Sequence, residues 1–208
     1  MIDNNISPIC VFILGRPGAG KDTQAALLAQ ELALHQVKTS KLLMAIFQEQ
    51  PDDPEVQKAH KMFQAGELAT HEFVRRVVYE HIEFLFENNF YGKKGVVFSG
   101  SPRTVHEAKS IASFCIEKFG VRNVVAVDIK VDEQECIQRM FERNEKSTDR
   151  DMDAAHIRMQ EFEKYTRPAI DYFAEKKMLI KINSNKEREQ VHIKIKNALF
   201  TKLGYGNS

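Results

Sequence analysis

Ile9-Cys10-Val11-Phe12-Ile13-Leu14 is an unbroken apolar run that Gly15 ends. A run without alternation marks a strand covered on both faces, as in a parallel sheet. From Thr23 the spacing becomes helical, and Ala26, Leu27, Leu28 and Leu32 are predicted on one broad inward face. After a loop around Pro51, Asp53-Pro54 reads as N-cap and first helical residue, with Gly66 as the stop. Thr70 is predicted to cap a second helix that carries Phe73, Val77, Ile82 and Leu85. Val96-Val97-Phe98 reads as another buried strand, entered from Gly92-Lys93-Lys94-Gly95, and a helix is predicted over 104–118. The strand Val124-Val125-Ala126-Val127 follows, and Asp132 with Glu135 forms a capping box for a helix through Met140. Residues 144–153 are charged and glycine-free, which predicts a short mobile loop. A helix from about Ala154, a strand Met178–Ile182 and a closing helix to Phe200 complete the pattern. Strands alternating with helices imply an α/β fold with a parallel sheet and right-handed crossovers. Ligands of such sheets bind at the carboxyl ends of strands, so the residues that follow strands are the functional candidates.

Charge narrows the function classes. Thirty basic residues against 29 acidic ones leave a net charge of +1 over 208 residues. No global field exists to hold nucleic acid or an anionic membrane, so anion binding must be local. The length suits one domain. Cys10, Cys115 and Cys136 are odd in number and widely spaced, which gives neither a disulfide framework nor a zinc pattern. A reducing, cytoplasmic setting is expected. No apolar run approaches the roughly 18 residues of a membrane helix, and the polar stretch from Met1 to Pro8 does not read as a signal peptide.

The strongest local signal is Gly15-Arg16-Pro17-Gly18-Ala19-Gly20-Lys21-Asp22-Thr23. It fits G-x-x-x-x-G-K-[ST] with one extra residue before the threonine, and it lies between a strand and a helix, where the motif belongs. Glycines let backbone N–H groups close on phosphate oxygens, and the helix N-terminus adds positive potential. Lys21 is the residue expected to reach the β- and γ-phosphates of a nucleoside triphosphate, and Thr23 to hold a phosphate or a metal ion.

Residues 15–24, including the trailing Gln24, together with several later segments, resemble the adenylate kinase family, which includes the UMP/CMP kinases. Gln-Ala-Gly-Glu-Leu-Ala-Thr (64–70) is similar to the family's Ala-Gly-x-Leu-Val-Thr turn, and Gly100-Ser101-Pro102-Arg103-Thr104 to its Asp-Gly-Phe-Pro-Arg-Thr segment. Arg139-Met140-Phe141-Glu142-Arg143 resembles the R-x-x-x-R at the start of the lid, and Arg150 and Arg158 fall where the family carries lid arginines. The resemblance spans roughly 9–200. It implies a P-loop NTPase-type α/β fold, with a parallel five-stranded sheet flanked by helices. It also implies one domain over 1–208, with an acceptor-binding lobe around 39–70 and a short, zinc-free lid around 144–153. The implied activity is transfer of the γ-phosphoryl group of ATP, bound with Mg2+, to a nucleoside monophosphate by a monomer. Gly15, Pro17, Gly18, Ala19, Gly20, Lys21, Asp22, Thr23 and Arg139 would then bind ATP. Thr39, Met44, Ala69, Gly100, Arg103 and Glu107 would line the acceptor site. Lys21, Arg103, Arg143, Arg150 and Arg158 would be catalytic, because planar guanidinium forks match the charge spread over transferring phosphoryl oxygens.

Five positions depart from the family pattern. Lys41 and Ser99 stand where aspartates are usual near the metal, and Met44 where an arginine grips the acceptor phosphate. Asp22 replaces a glycine, and it reads either as a substitute metal-side carboxylate or as a first-turn acid on the helix dipole. Lys38 or Lys41 is expected to supply the charge that Met44 lacks. Glu107 replaces the glutamine that reads adenine. As an acceptor-only carboxylate it suits guanine's paired donors; alternatively, in Thr104-Val105-His106-Glu107, it closes a capping box onto the Thr104 N–H. These departures keep two other readings in view: a weakly catalytic nucleotide-binding regulator, and a kinase for a non-nucleotide small molecule.

Overall fold

The computed structural model describes residues 8–64, 67–143, 152–184 and 187–205. Five parallel strands, β1 (Ile9–Gly15), β2 (His35–Lys38), β3 (Gly95–Ser99), β4 (Val124–Lys130) and β5 (Leu179–Asn183), form one sheet in the order β2-β3-β1-β4-β5. Every residue of β1 is buried, which accounts for its unbroken apolar run. Phe12 pairs in register with Phe98 on one side and Ala126 on the other, and the Phe12 and Phe98 rings stack at 4.8 Å.

The helices α1 (Lys21–Glu31), α2 (Thr39–Glu49), α3 (Pro54–Gln64), α4 (His71–Glu87), α5 (Val105–Phe119), α6 (Glu133–Arg143), α7 (Met152–Glu161), α8 (Arg167–Glu175) and α9 (Arg188–Leu203) surround the sheet. One face of the sheet packs Cys10, Phe12 and Leu14 against α4, α5 and α8; the other packs Val11 and Ile13 against α1 and α9. A third, smaller core of Leu43, Phe47, Val56, Ala59, Phe73 and Val77 joins α2, α3 and α4. Among the described residues, no helix is long and apolar enough to cross a membrane. The three cysteines are buried free thiols.

The predicted elements are present, with corrections. Asp53 caps α3 through its side chain, its Oδ1 accepting from the N–H groups of Glu55 and Val56 at 2.8 and 3.0 Å. Thr70 stands at the N-cap of α4 without a side-chain bond. Gly66, the predicted stop of α3, lies outside the described residues. Ala26 is exposed, and the inward face of α1 is instead Gln24, Ala25 and Leu28. Gln24, Leu28 and Leu32 stand four residues apart on the buried stripe, and Ala26 lies off it. The strand β2 and the helix α2 have no counterpart in the hydrophobic reading. Met152 already opens α7, so the predicted loop is shorter than 144–153. The helix read from Ala154 is three pieces: α7, a π-helix at Phe162–Thr166, and α8.

Candidate active site

The loop between β1 and α1 turns on glycines that no other residue replaces without strain. Gly15 has φ +139°, and a Cβ there would meet Ile129 O at 2.6 Å; Gly18 has φ +80°, and its Cβ would lie 2.2 Å from Cys136 O. Gly20, left-handed, is the N-cap of α1. Ala19 is buried and its N–H donates to Arg16 O at 3.1 Å, while Pro17 is half-buried. The loop thus closes on itself, with Lys21 and Thr23 on the first turn of the helix. Lys21 Nζ donates to Arg16 O at 2.7 Å. Loss of water, and then the nearby Arg103 guanidinium with Arg158 adding to it, lowers the Lys21 ammonium to about 8. Three cations from α1, the β3–α5 loop and α7 therefore converge on one cleft, an arrangement that costs energy until an anion fills it.

Asp22 does not stand free beside them. Its carboxylate pairs with Lys38 Nζ at 2.7 Å, and Gln36 Nε2 donates to the Asp22 carbonyl at 3.2 Å. Burial raises its carboxyl, but Lys38 and the Lys21 charge outweigh that and hold it below the ordinary range. The pairing ties the first turn of α1 to the end of β2, with the Lys38 and Asp22 side chains 34% and 44% exposed. Lys41 is exposed, and Met44 is 50% exposed.

On the acceptor side, Gly100 O accepts from Arg103 Nε at 2.9 Å, and the Arg103 carbonyl accepts from Thr166 Oγ1 at 3.0 Å. The loop after β3 is thereby tied to the π-helix. Glu107 is 3% exposed. Its Oε2 accepts from the Arg103 N–H at 2.8 Å and from Ser101 Oγ at 3.2 Å, while its own N–H donates to Thr104 Oγ1 at 3.1 Å. The capping box forms, with one correction: the carboxylate bonds the amide of Arg103 rather than that of Thr104. Burial pushes the Glu107 carboxyl up, against the pull of the Arg103 amide and guanidinium. Thr39 heads α2, buried, and its Oγ1 has no partner among the described residues. Ala69 is half-buried just before α4. Arg150 and the side chain of Arg143 lie outside the described residues, as does most of the predicted mobile loop.

A cavity of about 320 Å³ opens beside Thr23, lined by Ala19, Gly20, Gln24, Arg139, Ser184 and Arg188 among others. Arg139 Nε is held by Glu135 Oε1 at 2.8 Å, one turn back on α6. Gln24 Nε2 donates to Arg188 O at 3.0 Å, and its Oε1 is buried without a partner. Ser184 and Arg188 were missed in the sequence, although they follow the carboxyl end of β5, where the strand-end rule points.

The groups beside the phosphate loop that would meet a magnesium ion are two hydroxyls and the Asp22 carboxylate, itself paired with Lys38. Thr23 is at the rim, and Ser99 Oγ, buried at the end of β3, faces the Asp22 carboxylate. No trio of acidic, histidine or cysteine side chains gathers among the described residues. That set fits an ion which keeps its waters and is carried on phosphates.

A profile of the family described as adenylate kinase matches residues 13–178. Adenylate kinase of Chlamydia trachomatis is 26% identical, covering 96% of this chain and 93% of its own length. Adenylate kinase 1 of a Nostoc species is 29% identical, covering 91% of this chain and 97% of its own length. Adenylate kinase of Brucella anthropi is 30% identical over the same shares. The family profile runs from within β1 to the residue before β5 and takes in the glycine loop, Arg103, Glu107, Arg139 and Arg158: the chain belongs to the adenylate kinase family and is a phosphotransferase of the nucleoside monophosphate kinase type.

Proposed function

We propose that the chain transfers the γ-phosphoryl group of ATP to adenylate, acting as a single-domain monomer with a lobe around α2 and α3 and a short lid. The observation that carries this reading is the convergence of Lys21, Arg103 and Arg158 on the glycine loop. ATP enters with its base in the cavity beside Arg139 and its phosphates against the loop amides. Lys21 follows charge toward the β,γ-bridge. Arg103 holds the acceptor phosphate, and Arg158, with Arg143 and Arg150 of the lid, neutralises the equatorial oxygens of the transferred group. Thr23 and Ser99 would hold waters of the magnesium ion, which neutralises phosphate charge when bound. Adenylate is favoured because one carboxylate oxygen of Glu107 is already bonded to the Arg103 amide and Ser101, and because the relatives named above are adenylate kinases.

The test is kcat/KM for each common monophosphate with ATP. Adenylate is expected to lead, and Glu107→Gln to change the adenylate-to-guanylate ratio by less than about threefold, since an amide oxygen still accepts from the Arg103 N–H. A shift worth about 1–3 kcal/mol, the cost of one unmet buried partner, would show instead that Glu107 reads the base.

A further inference from the structure

A second cavity, of about 540 Å³, lies at the carboxyl ends of β4 and β5 and shares no lining residue with the pocket beside Thr23. Asp128 of β4 is one of its walls. This carboxylate is 2% exposed, on a strand whose other residues from 124 to 129 are apolar. Its Oδ2 accepts no hydrogen bond among the described residues, and Arg167 Nη1 stands 3.9 Å away. Arg16 forms another wall. Its terminal nitrogens are held by Val131 O at 3.3 Å and by Glu163 Oε1 at 2.8 Å, yet its Nε is buried and donates to nothing described. An unmet acceptor and an unmet donor therefore belong to residues lining one cavity. Buried polar groups are almost always satisfied, so two orphans at one place point to a bound partner.

The remaining chemistry says what that partner carries. Four cations, Arg16, Lys130, Arg167 and Lys194, line the cavity against two acids, Asp128 and Asp132, and Glu163 pairs with both arginines, at 2.8 and 3.2 Å. A bare cation is repelled by Lys130 and Lys194. A bare anion suits those lysines but is repelled by Asp128 and leaves its acceptor unmet. A molecule with a phosphate at one end and hydroxyls at the other answers both, since the hydroxyl donates to Asp128 while the phosphate takes the cations. The Phe162 ring, with the Arg167 guanidinium 4.9 Å from its centre, offers an apolar wall for a carbon skeleton. The volume falls in the range of roughly 300–1,000 Å³ that small-molecule sites occupy. We propose that this cavity binds a small hydroxylated phosphate monoester of sugar-phosphate size, separately from the two nucleotides.

The experiment titrates ribose 5-phosphate calorimetrically into the full chain, its nucleotide sites filled by a bisubstrate dinucleotide analogue. Inorganic phosphate and ribose are run as separate arms. Saturable binding is expected, at least about tenfold tighter than either fragment, and Lys194→Glu, an exposed change on α9, is expected to weaken it about tenfold or more. Asp128→Val should remove the advantage over inorganic phosphate; should that variant fail to fold, Lys194→Glu decides alone. Equal affinity for phosphate and ribose 5-phosphate would overturn the ester class. Binding indifferent to Lys194→Glu, or none up to about 10 mM, would overturn the site.

Discussion

The donor and acceptor sides of the cleft are built from different materials. The donor side is chiefly backbone: its shape comes from Gly15, Gly18 and Gly20, whose left-handed or crowded positions other residues do not fill. The proposed acceptor side relies on individual side chains: Thr39 on the lobe with its own small core, and Arg103 with the Glu107 network on the loop after β3 and the start of α5. A backbone site absorbs side-chain exchange around it. Arg16 and Asp22 sit in the glycine loop, and each has found a partner, in Glu163 and in Lys38. A side-chain site has less tolerance, and Met44 brings no charge to the position where the resemblance places an arginine.

The largest effect should come from the one donor-side charge that backbone cannot replace. Lys21→Met is expected to keep its circular-dichroism spectrum and lose about 10³-fold or more in kcat, the scale seen for charge stabilisation of transferring phosphoryl groups. A variant with near-wild-type turnover would break the comparison. Next, Arg103→Ala should cost about 1.5–3 kcal/mol, the value of one charged hydrogen-bonded contact. The loss should fall on the KM of the monophosphate and leave the KM of ATP within about twofold; equal losses for both nucleotides would mean the two sides are not separable.

The pH dependence is smaller and belongs to the donor side. In the free protein Lys21 loses its proton above about 8, while bound phosphates hold the charged form. Affinity for ATP should therefore be level below that pH and fall up to about tenfold per unit above it. A titration flat to pH 10 would remove the ammonium from the binding step. The smallest change expected is in Ser99→Asp, which adds a metal-side carboxylate. The magnesium concentration for half-maximal rate should drop a few-fold, about two to five, and an unchanged magnesium titration would show that Ser99 is remote from the ion.

Much of this was legible in the chain. Fully buried strands announced themselves because both faces demand apolar residues, and the glycine loop because its spacing is set by phosphate geometry. The edge strand β2 was not, because only Val37 of its four residues is buried, so it carries neither an apolar run nor alternation. Its helix α2 buries Thr39, Leu43 and Phe47 at every fourth position, a helical spacing that was present in the chain and passed over. Pairings across the fold, such as Lys38 with Asp22 and Arg16 with Glu163, were invisible, because 16 and 147 residues of chain separate the partners and only the sheet order brings them together. The target of Glu107 was off by one residue, since a capping box names the side chain but leaves the chosen amide to the local turn.

The π-helix between α7 and α8 has a consequence for length changes. Residues from Met152 to Glu175 form one helical rod in which Phe162–Thr166 turns more widely than the rest. Each residue of an α-helix advances the azimuth by about 100°. The wide turn holds about one residue more than an α-turn, so removing one residue from it would leave a regular helix with Arg158 in nearly the same phase, and the change would fall on the Thr166–Arg103 tie. The wide turn is thus a one-residue insertion absorbed locally, and a shortened chain would test the tie to the loop after β3 without turning Arg158 away from the cleft.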